Sequence, residues 1–170
     1  MVFVFGLLVG GLISAALLAL VGVLLFRWWI SAWLSMALVS GAFVLATLAD
    51  LRVLALPKVH NARQVPQAVQ RRGPVVGALQ FGVEMGSGAR TFMTGYLPLV
   101  VALALVLIVP WQGVALIGIS FGAGRSIVPL VRASSHNDSH WSNNFMRHAR
   151  LIQGLLSVVC LAAWASTRVS

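Results

Sequence analysis

Three charged side chains in apolar surroundings are the first candidates for chemistry. Glu84 and Arg90 flank Gly86-Ser87-Gly88, and Arg125 falls late in a second apolar run. A carboxylate or guanidinium at membrane depth is costly, about 2.5–3.5 kcal/mol for an arginine at the centre of a bilayer, so a use is the default suspicion. Phe81-Gly82…Gly86-Ser87-Gly88-Ala89-Arg90 and Phe121-Gly122-Ala123-Gly124-Arg125 share an aromatic–glycine–arginine pattern. Broken or closely packed helices here would combine free backbone N–H groups with two guanidinium groups, which is anion-binding chemistry. The plainer reading is an ion pair that locks two spans together. Glu84 and Arg90 are six positions apart, about 240° around a continuous helix, so they meet only if the chain bends between them. Otherwise Glu84 turns to Arg125 or to water.

A second group is His136, Asp138, His140 and His148. His136 and His140 have the i, i+4 spacing that suits zinc on a helix. Asn137, Asp138 and Ser139 favour a turn, however, and no His-Glu-x-x-His pattern is present, so a solvated loop is the stronger reading and no metal is assigned. All four histidines lie outside the apolar runs, which argues against haem ligation. Phosphate-binding and dinucleotide glycine motifs are missing, and Gly86-x-Gly88 lacks the following Lys-Ser/Thr. A nucleophilic triad would need a histidine beside a serine at membrane depth. No cofactor and no enzymatic role are assigned. The single cysteine, Cys160, excludes an intramolecular disulfide and reads as a small packing residue.

The elements that must position these groups follow from composition. The chain has 170 residues, 59% hydrophobic and only 9% charged, against roughly 25% charged in a soluble domain. So few charges cannot cover a water-facing surface, and the fold class is an all-α polytopic integral membrane protein. The net charge of +9 does not point to nucleic acid, because the basic residues fall in loops between apolar runs. A single membrane domain over 1–170 with about five spans is expected, at residues 2–26, 30–49, 74–109, 113–131 and 151–167, with loops at 50–73 and 132–150. Val59, Ala62, Val65 and Val69 in the first loop have the spacing of a short amphipathic segment on the membrane surface, and a plain solvated loop is an equal alternative.

The third span is too long. Residues 73–109 would make a helix of roughly 55 Å, against about 30 Å of hydrocarbon. A break or kink near Gly86–Gly88 is expected, because glycine loses most on being held helical, and Pro98 adds a second kink. Small residues recur every fourth position at Gly6/Gly10, Gly82/Gly86 and Gly118/Gly122, the pattern of close helix–helix packing.

With the N-terminus in the cytoplasm, Arg52, Lys58, Arg63, Arg71, Arg72, Arg132, Arg147 and Arg150 all fall inside, and only Arg27 and Arg168 outside. Trp28, Trp29, Trp33, Trp111 and Trp164 then map to the outer headgroup level. The expected location is the plasma (inner) membrane.

The stretch Arg63-Gln64-Val65, Phe81-Gly82, Gly86-x-Gly88, Arg90-Thr91 and Phe121-Gly122 resembles the cytochrome c biogenesis CcdA/DsbD transmembrane family. That family moves reducing equivalents through a cysteine in each of two broken helices. No cysteine stands near Gly86 or Gly122, so the resemblance implies broken-helix packing without the thiol pair, and no catalytic residue is carried over.

The function read from these features is a non-enzymatic membrane subunit. It packs against partner helices, or against copies of itself, within lipid. One alternative is a small transporter or channel component with an arginine-lined anion site. The other is a relative of the thiol relay that has lost its thiols.

Overall fold

A computed structural model describes residues 1–56, 73–88, 95–134 and 138–169. Six α-helices account for nearly all of them: α1 (Val2–Val21), α2 (Ala32–Asp50), α3 (Pro74–Gly86), α4 (Leu97–Leu107), α5 (Trp111–Ser134) and α6 (Asp138–Val169). No strand is present among the described residues. The chain is an all-helical membrane protein. Val2–Phe26, Ala32–Asp50 and Trp111–Arg132 are each long and apolar enough to cross a bilayer. Leucine and valine side chains are exposed along all three, which lipid tolerates and water does not.

Local chemistry sets the helix ends. The Ser31 hydroxyl accepts the Leu34 N–H (3.3 Å) and starts α2. Pro74 opens α3, and Pro98 lies in the first turn of α4, where its missing N–H is not required. Pro98 therefore produces no kink, contrary to the sequence expectation, because the interruption lies upstream of it. α2 ends at Asp50, and two residues on Arg52 has a φ of 59°, left-handed for a residue with a side chain. A π-helical turn, Gly22–Phe26, continues α1 and closes with the Arg27 N–H on the Gly22 carbonyl (2.9 Å).

The long third apolar stretch is two helices. α3 stops at Gly86, and Gly88 has φ 72°, a conformation that glycine alone adopts freely. α4 begins at Leu97. The two pieces lie end to end along α1 and parallel to it. Gly82 meets Phe3 and Gly6, Gly86 meets Leu7, and Ser87 meets Gly10; further along, Leu105 packs with Ala15 and Ala19, and Val106 abuts Gly22. The interruption thus falls opposite the middle of α1.

Two packing groups result. α1, α3 and α5 meet backbone to backbone. α2, α4 and α6 meet through a side-chain core of Val39, Phe43, Ala46, Val100, Ala104 and Leu107, with Cys160 packed against it. α4 belongs to the second group but also touches α1.

One expected loop is helical. Residues 138–150 form the first part of α6, and Asp138 with Ser139 begins that helix rather than a turn. Both residue types are favoured at helix starts, and an acidic one complements the positive end of the helix. The proposed amphipathic stretch at 57–72 lies outside the described residues.

Candidate functional site

The glycines of α1 determine how close its neighbours come. A Cβ on Gly6 would stand 2.5 Å from the Leu79 carbonyl oxygen, and one on Gly122 2.5 Å from the Leu7 carbonyl oxygen. Cβ atoms on Gly10, Gly82 and Gly86 would overlap the carbonyl oxygens of Val83, Phe3 and Leu7. Gly118 sits against the Leu12 Cα, where a Cβ would come within 2.8 Å. The six small residues singled out in the sequence therefore form two seams, α1 on α3 and α1 on α5.

A partly open cavity of about 160 Å³ lies where these seams meet the interruption between α3 and α4. Leu18, Val101, Leu105 and Phe121 give it apolar walls, and Ser14 and Ser87 contribute hydroxyl groups. Gly88 and Pro98 bring both broken ends of the chain to its edge. An engineered cavity of about 150 Å³ admits a benzene molecule, so this volume suits a ligand of that order.

Arg125 does not itself line the cavity but stands beside two residues that do, Phe121 and Gly88. Its guanidinium carbon is 5.5 Å from the centre of the Phe121 ring, a cation–π distance. One guanidinium nitrogen is 3.9 Å from where a Cβ on Gly88 would be. The carboxyl end of α3 is also here, and its partial negative charge favours a cation. Ring and helix end together hold the guanidinium beside Gly88. Glu84, one turn earlier on α3, accepts a bond from Gln80 Nε2 (3.2 Å) through its carboxylate, and its backbone carbonyl accepts the Ser87 hydroxyl (2.8 Å). Arg90, the third member of the expected cluster, lies outside the described residues.

Of the histidines, His148 is exposed on α6, His136 lies outside the described residues, and the backbone alone is described for His140. Among the described residues, no group of three or more His, Cys, Asp or Glu is placed to hold a metal ion.

Two polar arrangements were not singled out in the sequence. Arg27 does not simply reach for the headgroup level. Its guanidinium donates to the carbonyls of Leu105 (3.0 Å), Val106 (3.3 Å) and Val109, at the carboxyl end of α4. Those carbonyls have no helical donor, and the negative helix end attracts the cation. At the other end of α4, Asp50 accepts the Tyr96 N–H (3.1 Å) and Gln153 Nε2 (2.6 Å) on Oδ1, and the Ser157 hydroxyl (2.6 Å) on Oδ2. Ser157 is 1% exposed. Gly95 makes room for this knot, because a Cβ there would stand 2.6 Å from Gln153 Nε2 and 3.1 Å from Asp50 Oδ1. α4 is thus bracketed by a carboxylate at its positive end and a guanidinium at its negative end. The available signal was weak: Gln153 and Ser157 are polar residues one turn apart on an otherwise apolar helix face.

Trp164 is a packing residue as well. It stacks on Phe43 (5.5 Å between centroids) and donates its indole N–H to the Ser40 hydroxyl (3.0 Å), inside the α2–α6 contact. Trp28, Trp29, Trp33 and Trp111 are exposed. An indole needs one acceptor and a flat apolar neighbour, and α2 provides both.

Comparison with protein-family models, curated proteins and solved structures finds no match.

Proposed function

We propose that this chain is a multi-pass subunit of a membrane transport assembly, and that its interrupted helix pair holds a small anion against Arg125. The observation that carries this reading is the cavity at the junction of α3 and α4, with a guanidinium next to two of its lining residues, Gly88 and Phe121. At 13 and 11 residues, α3 and α4 rise about 20 and 16 Å, so neither alone crosses a core of about 30 Å. Laid end to end along α1, they make one crossing with its gap near mid-depth. Discontinuous helices at that depth are where membrane carriers bind their substrates. The apolar walls favour an anion with an apolar body, such as a small aromatic carboxylate, over a strongly hydrated one.

In this reading the chain makes five crossings in the plasma membrane, with its N-terminus in the cytoplasm and the basic loops on the same side. No enzymatic step is assigned. The open face of α6 supports a subunit role. That helix packs chiefly on α2 and leaves Leu151, Leu155, Leu156 and Val159 exposed, a surface for lipid, for partner helices or for another copy.

The test is flux in proteoliposomes, with chloride, acetate and benzoate as probes. Wild-type protein should carry at least one of them. Arg125→Gln should lower that flux at least tenfold while the protein still folds and inserts, and Arg125→Lys should restore part of it. No flux in the wild type, or equal flux in Arg125→Gln, overturns the anion reading. A strictly monomeric particle in mild detergent and in native membranes counts against the subunit role.

A further inference from the structure

We propose, resting on the anion reading, that Ser14 sets the specificity of the cavity: its hydroxyl selects an aromatic carboxylate with a hydroxyl group on the far side of the ring. Ser14 is the central residue of the apolar segment Val2–Phe26, so about 18 Å of helix separates it from either end. Against a hydrocarbon core of about 30 Å, that is mid-depth. The side chain lines the cavity, on the same helix as Gly11 and Leu18.

Other hydroxyls of the chain are satisfied locally. Thr47, Ser87 and Ser126 donate to the carbonyls of Phe43 (2.8 Å), Glu84 (2.8 Å) and Ala123 (2.7 Å), the usual recourse of a hydroxyl on an apolar helix. Ser14 makes no hydrogen bond to any of the described residues. A hydroxyl without a partner in apolar surroundings is costly. Ser35 on α2 makes none either, but it does not line the cavity. An unmet hydroxyl with open space before it points to a ligand.

The cavity narrows the class. Its volume of about 160 Å³ suits a single ring, and the Phe121 side chain gives it an aromatic wall. One end is closed, where Leu105 and Val114 pack with Ala15 and Ala19. Ser87 and Gly88 form the other end, and the Arg125 guanidinium stands beside Gly88. Gly10 marks the level of that end on α1, since a Cβ there would be 3.0 Å from the Ser87 nitrogen. Ser14 is one turn further along, about 6 Å. That matches the span from a carboxyl group to a para hydroxyl across a benzene ring. A carboxylate turned toward Arg125 therefore leaves a para hydroxyl level with Ser14. The phenolic group keeps its proton at neutral pH, and it can donate to Ser14 Oγ or accept from it. A ring without that group leaves Ser14 unmet.

The experiment is calorimetric titration of the full chain in lipid nanodiscs at neutral pH, with empty nanodiscs as the blank. The probes are benzoate, 4-hydroxybenzoate and phenol. Wild-type protein should bind 4-hydroxybenzoate at least fivefold more tightly than benzoate, the size of one net hydrogen bond. In Ser14→Ala the two should bind within twofold of each other, with the benzoate affinity unchanged. Ser14→Thr keeps the hydroxyl and should keep the preference. Equal binding of the two carboxylates by wild-type protein overturns the role of Ser14 and leaves the anion reading standing. So does a preference that survives in Ser14→Ala. Binding of phenol that is lost in Ser14→Ala, with no binding of either carboxylate, overturns the anion reading and the carboxylate half of this proposal, while Ser14 remains the contact for the hydroxyl. No binding of any probe overturns both. The wild-type comparison stands even if a variant fails to insert.

Discussion

The two packing groups hold their helices together by different means. In α1, α3 and α5 the contact is backbone against backbone, with Leu7, Phe3 and Val83 carbonyls lying where side chains would otherwise be. In α2, α4 and α6 the contact is a side-chain core, and its ends are fastened by Asp50 at one end of α4 and Arg27 at the other. The first arrangement tolerates no added volume. The second tolerates volume at many positions but not the loss of a polar partner. In lipid there is little hydrophobic drive between helices, so close packing and hydrogen bonds must do the joining, and this chain uses one for each group.

That contrast can be broken from either side, and the largest effect is expected at the seam. Gly86→Leu or Gly10→Val forces α1 and α3 apart along their whole contact. Either should destabilise the protein by more than about 3 kcal/mol, at the upper end for overpacking, or prevent insertion; thermal unfolding in detergent reads this directly. Asp50→Ala comes next. It strands the Tyr96 N–H, Gln153 and Ser157, and should cost about 3 kcal/mol, whereas Asp50→Asn should cost less than half of that. If Asp50→Ala unfolds at the wild-type temperature, the polar knot is not what fastens α2 to α6.

Arg27→Gln should cost about 2 kcal/mol by releasing the last carbonyls of α4, and Arg27→Lys should recover part of it, since an ammonium keeps the charge but not the fork of donors. Hydrogen exchange at Ile108 and Val109 should rise in Arg27→Gln and stay unchanged at Gly82 in the seam. Trp164→Phe keeps the stack on Phe43 and loses one bond to Ser40, for about 1 kcal/mol in the same unfolding assay. The smallest change is a gain. Arg52→Gly relieves a left-handed backbone and should stabilise the end of α2 by up to about 1 kcal/mol.

The glycine seam was legible because it is written locally. Residues four apart share a helix face, so Gly6 with Gly10, Gly82 with Gly86 and Gly118 with Gly122 announce a close approach without naming the partner. The interruption near Gly86–Gly88 was legible for a similar reason, since an apolar run of that length exceeds a bilayer. The helical start of α6 was not, because Asn137, Asp138 and Ser139 suit a turn and a helix start equally well, and only packing decides between them. The partners of Arg27 and Trp164 were not legible, because a position in sequence does not say which way a side chain turns.

Composition and spacing alone determined that this chain is helical, lipid-facing, tightly packed through glycine and broken in its third apolar run, since each of these depends on residues within a few turns of one another. Tertiary structure alone decided that α3 and α4 lie in line along α1, that Arg125 stands beside Gly88 and Phe121 next to a cavity at their junction, and that Asp50 meets Ser157 from 107 positions away. Such meetings depend on how whole helices stack. A single polar residue in an apolar run is compatible with many stackings, and its partner is chosen only when the backbones have already come to rest.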